Sequence, residues 1–334
     1  MARVFLTGGG GFIGGQLASA LVARGEEVIG LARSHGAARA LGSRGVPVVR
    51  GDVLEREALR GGMRGCELVY HVAAINSHCP KDPQRLLRVN VGGTVNVVRA
   101  AAEAGVGRVV LTSSAASIGE PTGTIGTEDS PHRGSYLSLY EQSKHDSERV
   151  AFAIAADTGM QLIALNPSSV QGPPRATGTG AIIIAFLNRR LHAFVDTHVS
   201  VVDVGDVVDA HLLAAERGRP GQRYLLNGTT IPAREALQLL ADLSGIRHHI
   251  PLIPHGVVRT VTTIAEWAYR VRGNAPPICR ARVETILHGH RYDGSRAARE
   301  LGLQYTPISE TFRRTIAWAV AEGLVTRPLP HMPG

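Results

Sequence analysis

Residues 4–14, Val4-Phe5-Leu6-Thr7-Gly8-Gly9-Gly10-Gly11-Phe12-Ile13-Gly14, constrain this chain more than any other stretch. The short apolar run reads as a buried strand that stops at Thr7 and gives way to backbone without Cβ atoms. Such a turn can bend sharply and let a ligand approach the main chain. The helix that begins near Gly11 then aims unpaired N–H groups and the positive end of its dipole at that ligand, which suits a pyrophosphate. Gly14 lets the helix lie close on the strand. Gly9, Gly11 and Gly14 fit the G-x-G-x-x-G pattern, a dinucleotide fingerprint when a strand and a helix flank it.

With 334 residues, 44% of them hydrophobic and 19% charged, the chain has the composition of a folded globular protein. A formal charge of +8 raises nucleic acid as a partner, but the arginines are scattered and aromatics make up only 4%, so no stacking platform is visible. Cys66, Cys79 and Cys279 are odd in number and lack C-x-x-C spacing; they read as reduced, mostly buried thiols. No signal-peptide pattern follows Met1 and no apolar run reaches membrane-spanning length, so a cytoplasmic protein without a membrane partner is expected.

Taken in order, strands are expected at 28–32, 46–50, 68–72 and 108–112, alternating with helices. That rhythm implies an α/β fold, a doubly wound parallel Rossmann sheet. The second strand ends at Ala32, followed by Arg33 and Ser34, where an NAD enzyme usually presents a carboxylate to the adenosine ribose. A guanidinium there can bind a 2′-phosphate, so NADP(H) is the favoured cofactor and NAD(H) the alternative. The strand at 108–112 ends in Thr112-Ser113-Ser114 at the carboxyl edge of the sheet, and Tyr140 and Lys144 share one face of a later helix. Tyrosine ordinarily titrates near ~10, and a nearby ammonium favours its phenolate, so the pair can work as general acid and base on a carbonyl or alcohol. Ser114 would hold the substrate oxygen.

Residues 1–172 thus form the dinucleotide-binding core. Residues 173–330 form a smaller, mainly substrate-binding part with some segments returning to the core, and 331–334 end a loose tail that starts near Pro328. Helices are expected at 181–190, 204–217, 232–244, 257–270 and 309–322. The fourth carries Trp267 and Tyr269, and its apolar stripe reads as buried against a neighbour. His248-His249 and His288-Gly289-His290 come with no carboxylate or cysteine set in sequence, and no metal site is assigned.

The chain resembles the extended short-chain dehydrogenase/reductases, the NAD-dependent epimerase/dehydratase group. The resemblance rests on Thr7-Gly8-Gly9-Gly10-Gly11-Phe12-Ile13-Gly14, Gly51-Asp52-Val53, His71-Val72-Ala73-Ala74, Asn90-Val91-Gly92-Gly93-Thr94, Thr112-Ser113-Ser114, Tyr140 with Lys144, and the 166–173 segment from Asn166 to Pro173. In that group the glycine pattern is T-G-x-x-G-x-x-G, here Gly8, Gly11 and Gly14. The resemblance implies that Phe12 and Ile13 belong to the cofactor turn, that Asp52 and Val53 line the adenine pocket and that Ala73 and Ala74 border the cofactor. Lys144 would contact the nicotinamide ribose, Pro167, Ser169 and Val170 would border the nicotinamide, and Asn90 would be structural or a relay. The Arg33 position and 193–197 look most like dihydroflavonol-reductase-like enzymes and hopanoid-associated sugar epimerases.

One departure bears on the substrate. Nucleotide-sugar members typically carry an arginine just before the strand leading to Asp-Asp-Val, and this chain has Thr197-His198-Val199-Ser200 there. The leading expectation is therefore an NAD(P)-dependent oxidoreductase acting on a small, non-nucleotide substrate. A sugar epimerase or dehydratase with tightly bound NAD is the alternative, and a dinucleotide-binding sensor without chemistry the third. Homodimers formed through the helix holding Tyr140 are common in the superfamily, alongside monomers.

Overall fold

A computed structural model describes residues 2–271 and 279–330, with side chains described up to residue 264 and from 279 onward. The first half alternates as expected: β1 (Arg3–Thr7), α1 (Phe12–Ala23), β2 (Glu27–Ala32), α2 (His35–Gly42), β3 (Val48–Arg50), α3 (Arg56–Met63) and β4 (Leu68–His71). There follow α4 (Pro83–Leu87), a π turn over Arg88–Gly92, α5 (Gly93–Glu103), β5 (Arg108–Thr112), a 3₁₀ turn at Ala115–Ile118, α6 (Leu139–Thr158) and β6 (Gln161–Pro167). The second half comprises β7 (Ser169–Gln171), α7 (Thr179–Leu187), β8 (Phe194–Val195), β9 (His198–Asp203), α8 (Val204–Arg217), β10 (Arg223–Leu226) and β11 (Thr229–Pro232). It closes with α9 (Ala233–Ser244), β12 (Leu252–Ile253), α10 (His255–Val271), α11 (Arg280–His288), α12 (Ser295–Leu301) and α13 (Ile308–Ala321).

The main sheet has seven strands in the order β10-β6-β5-β4-β1-β2-β3, every pair parallel. Side chains alternate across it as the two-residue period of a strand requires. Val4 and Leu6 enter the apolar layer under α1 and α8, while Phe5 enters the layer under α3, α5 and α6. All three are no more than 1% exposed, and each such burial contributes about 1.5–3 kcal/mol. Strand order reverses between β1 and β4, and ligands of open α/β sheets bind in the crevice at that point.

Beyond residue 172, α8 packs on the main sheet and β10 joins its edge. What stands apart is a third apolar cluster from α7, α9 and α13, beside a small sheet in the order β11-β9-β7. Three expectations are corrected here. Cys79 and Cys279 are joined as a disulfide, leaving only Cys66 as a free, buried thiol. The apolar stripe of α10 is not buried where it is described, since Val257, Val261 and Ile264 are 52–60% exposed. Within the expected tail Leu329 is buried against the α7–α13 cluster, which gives it an apolar anchor. The side chains of Trp267 and Tyr269 and residues 331–334 lie outside the described residues.

Candidate active site

The glycine turn is shaped by two close approaches. Gly8 has φ +77°, and a Cβ there would lie 2.6 Å from the Ala73 nitrogen, so glycine is needed both for conformation and for contact with the end of β4. A Cβ on Gly14 would lie 2.2 Å from the Gly8 carbonyl oxygen. These contacts select the Gly8, Gly11, Gly14 reading, and the Gly11 N–H donates to the Gly8 carbonyl at 2.9 Å to close the turn. No side chain caps α1, so its first N–H groups point freely into the crevice, as an anion site requires. The turn is held to β4 by Thr7, whose hydroxyl pairs with His71 Nδ1 at 2.8 Å and accepts from the Ala73 N–H at 3.2 Å.

A cavity of about 1380 Å³ opens from this turn. Gly8, Gly11, Phe12, Ile13, Gly14, Arg33, Ser34, Asp52, Val53, Ala73, Ala74, Pro167, Ser169 and Val170 all line it, and so do Ser114, Tyr140 and Lys144. That volume exceeds the ~300–1,000 Å³ of ordinary small-molecule pockets, room for a dinucleotide and a substrate together. On this cavity Arg33 is not a free cation, because its Nη1 lies 3.3 Å from Asp52 Oδ2. Ser34 caps α2 by accepting from the Ala37 N–H at 3.1 Å. The uncapped helix and the glycine cradle fit a dinucleotide.

At the other end, α6 places Tyr140 and Lys144 one turn apart beside Ser114 at the end of β5. Ser114 and the Tyr140 phenol line the same cavity. Burial pushes the Tyr140 phenol above its ordinary value, and the Ser114 hydroxyl and the Arg175 guanidinium oppose the rise. The expected lowering by Lys144 is corrected: its Nζ donates to the Thr112 carbonyl at 2.9 Å. Burial pulls the Lys144 ammonium down to about 8, with Glu148 acting against it. Asn90, in the π turn, accepts from the Ile75 N–H at 2.7 Å and donates to the Ile75 carbonyl at 3.0 Å and to Ser143 Oγ at 2.9 Å. It ties the cavity wall after β4 to the helix turn between Tyr140 and Lys144.

Several residues reach this cavity without a sequence signal. Arg175 lines it with its guanidinium 5.3 Å from the centre of the Phe12 ring. His78 packs edge-on against Tyr140 at 5.1 Å, and burial and the Arg282 guanidinium hold its imidazole down at about 4. The His288-Gly289-His290 stretch does have a carboxylate partner in space. Glu120 Oε1 is 2.6 Å from His290 Nδ1 and 3.4 Å from His288 Nε2, a pairing across some 170 positions that no local pattern announces.

Comparison with known proteins agrees with this architecture. The chain is 33% identical over 329 residues to the Synechocystis protein named "Putative dihydroflavonol 4-reductase", covering 96% of this chain and 95% of that one. It is 32% identical to sterol demethylase protein B of Methylococcus capsulatus over 96% of this chain and 99% of the other. The crystal structure of gox2253 superposes with a TM-score of 0.86 at 27% identity, covering 97% of this chain and all of that one. The model of the NAD dependent epimerase/dehydratase family matches residues 4–226, and the chain belongs to that family, an NAD(P)-dependent oxidoreductase or epimerase/dehydratase of the extended short-chain dehydrogenase/reductase type.

Proposed function

We propose that this protein is an NADP(H)-dependent reductase or dehydrogenase that interconverts a carbonyl and an alcohol on a small, apolar, non-nucleotide substrate. The observation that carries the reading is the gathering of Ser114, Tyr140 and Lys144 on the same cavity as the glycine turn. Ser114 holds the substrate oxygen and Tyr140 gives or takes the proton there, a contribution of about 10²–10⁴ in rate. Lys144, anchored on Thr112, keeps positive charge beside the site and would contact the nicotinamide ribose of a bound cofactor. The cofactor supplies or accepts the hydride.

The substrate end is walled by hydrocarbon from Ile182, Ile183, Leu237, Leu240 and Phe312, which suits an apolar body. The names of the two relatives, a dihydroflavonol reductase and a sterol demethylase protein, also speak for ring systems and not nucleotide sugars. Arg33 and Ser34 support the 2′-phosphate, with Arg33 turning from Asp52 to the phosphate when it binds.

The test is to denature a purified sample, identify any retained cofactor, and titrate the rest with NADPH and NADH by fluorescence. Tight NADPH binding to an empty site, with net turnover of apolar ketones, is the expected result. Retained NAD⁺ without net turnover would replace this reading with an epimerase or dehydratase. For compartment, no helix among the described residues is long and apolar enough to cross a membrane. The proposed cytoplasmic location conflicts with the Cys79–Cys279 bond, because reducing compartments rarely keep such bonds. Counting free thiols in protein taken from reducing cells decides between them.

A further inference from the structure

The wall of the cavity between Glu120 and Tyr292 has no role in hydride or proton transfer, yet it is built with care. Glu120 is 1% exposed, and burying a carboxylate is costly unless donors surround it. Its Oε1 takes His290 Nδ1 at 2.6 Å and His288 Nε2 at 3.4 Å, and the Tyr292 hydroxyl lies 2.9 Å from the same His290 Nδ1. With those bonds Glu120 is held ionised, well below the usual carboxylate range. An ionised carboxylate only accepts, so the facing nitrogen of His290 carries the proton. The Nδ1–H tautomer leaves a lone pair on Nε2. That atom takes no hydrogen bond among the described residues, and His290 lines the cavity. The ring is further fixed by stacking on Tyr292 at 5.6 Å, and the His290 carbonyl accepts from Ser200 Oγ at 2.8 Å.

We propose that His290, oriented by Glu120, is a specificity-determining acceptor for a hydroxyl group that the substrate carries away from its reacting carbon. The inference rests on the reductase reading of the cavity and narrows the substrate to an apolar, hydroxyl-bearing carbonyl compound or its alcohol, with the second hydroxyl an alcohol or a phenol. His290 is near enough to the reacting centre for this. His290, His78 and Tyr140 line one cavity, and His78 packs against Tyr140. A site built to bond a hydroxyl also rejects the analogue without one more strongly than an apolar pocket can reject an extra group.

The experiment titrates phenol, and anisole as the matched probe that cannot donate, into the NADPH complex of the full chain. Affinity is read by calorimetry, and the His290 ring nitrogens are followed by ¹⁵N NMR. Phenol is expected to bind about tenfold tighter than anisole and to shift Nε2 selectively, the size of one hydrogen bond. His290→Phe should bring the ratio to about one with NADPH affinity unchanged, and His290→Gln, which restores an acceptor oxygen, should recover part of the preference. Equal affinities in the wild type overturn the inference. So do a preference that survives in His290→Phe, an Nε2–H tautomer, and no binding of either probe up to its solubility. Zn²⁺ taken up by Glu120, His288 and His290 with loss of the Nδ1 proton would overturn it as well. Failure of NADPH to bind would instead count against the functional reading, and the tautomer would still report on His290.

Discussion

The two halves of the cavity are built by different means. The half around the glycine turn is made largely of backbone: strand ends, a glycine turn and an uncapped helix, most of it drawn from the first 74 residues. The substrate half is made of side chains from distant segments, with His78 after β4, Glu120 after β5, Arg175 after β7 and His290 after α11. A disulfide spanning 200 positions ties two of those segments together. Backbone geometry depends on residue type at fixed spacing, so the first half tolerates little change. Side-chain walls can be refitted position by position, so the second half is where a substrate is chosen.

The largest effect is expected where the halves meet. Tyr140→Phe removes the proton-transfer group alone, so kcat should fall by about 10²–10⁴ while NADPH affinity stays within about twofold. Single-turnover kinetics beside a fluorescence titration checks this, and wild-type turnover in the variant would remove Tyr140 from the mechanism.

Next in size is the covalent tie of the substrate half. Cys79→Ser should lower the unfolding free energy by roughly 2–5 kcal/mol, since the bond closes a very long loop in the unfolded chain. Cofactor affinity should hardly change, because the glycine turn lies outside the tied segments. Denaturant melts with and without reductant, followed by NADPH titration, would show whether the halves are separable in this way.

Acid should weaken the sheet beneath both halves. Burial holds the imidazoles of His71 and His211 down, at about 3 and about 4. Both are depressed below the unfolded value near ~6.5, so the unfolded chain takes up protons first as pH falls. Stability is therefore full above about 6.5 and is lost below it at about 1.4 kcal/mol per pH unit for each ring, down to its native pKa. Melts between neutral pH and pH ~4 would give the slope, and His211→Gln should remove about one proton from it.

The smallest change sharpens the cofactor end. Arg33→Ala should weaken NADPH by about tenfold and leave NADH nearly unchanged, the difference a charge-assisted phosphate bond contributes. Equal losses for both cofactors would mean that Arg33 serves only to pair with Asp52.

Much of the first half was legible because its signals are local. An apolar run ending in Thr7, glycines three apart and a helix-period Tyr140/Lys144 pair each specify geometry within one or two turns of chain. The placing of Ser114 beside Tyr140 also followed, since both lie at the carboxyl edge of one sheet. The ionisation of Tyr140 did not, because Lys144 turned to the Thr112 carbonyl and Arg175 arrived from β7 to take part instead. The cysteines misled for a similar reason: spacing in sequence says nothing about two residues brought together by a return of the chain.

By itself, then, the sequence determined the parallel sheet, its glycine turn and the shared helix face of Tyr140 and Lys144, since strand, turn and helix patterns are enforced within a few residues of where they are written. Tertiary structure alone decided that Cys79 meets Cys279, that Arg33 pairs with Asp52, and that Glu120 fixes the ring of His290 in the cavity wall. Those are contacts between segments whose separation along the chain only the packing of the whole sheet and its helices can close.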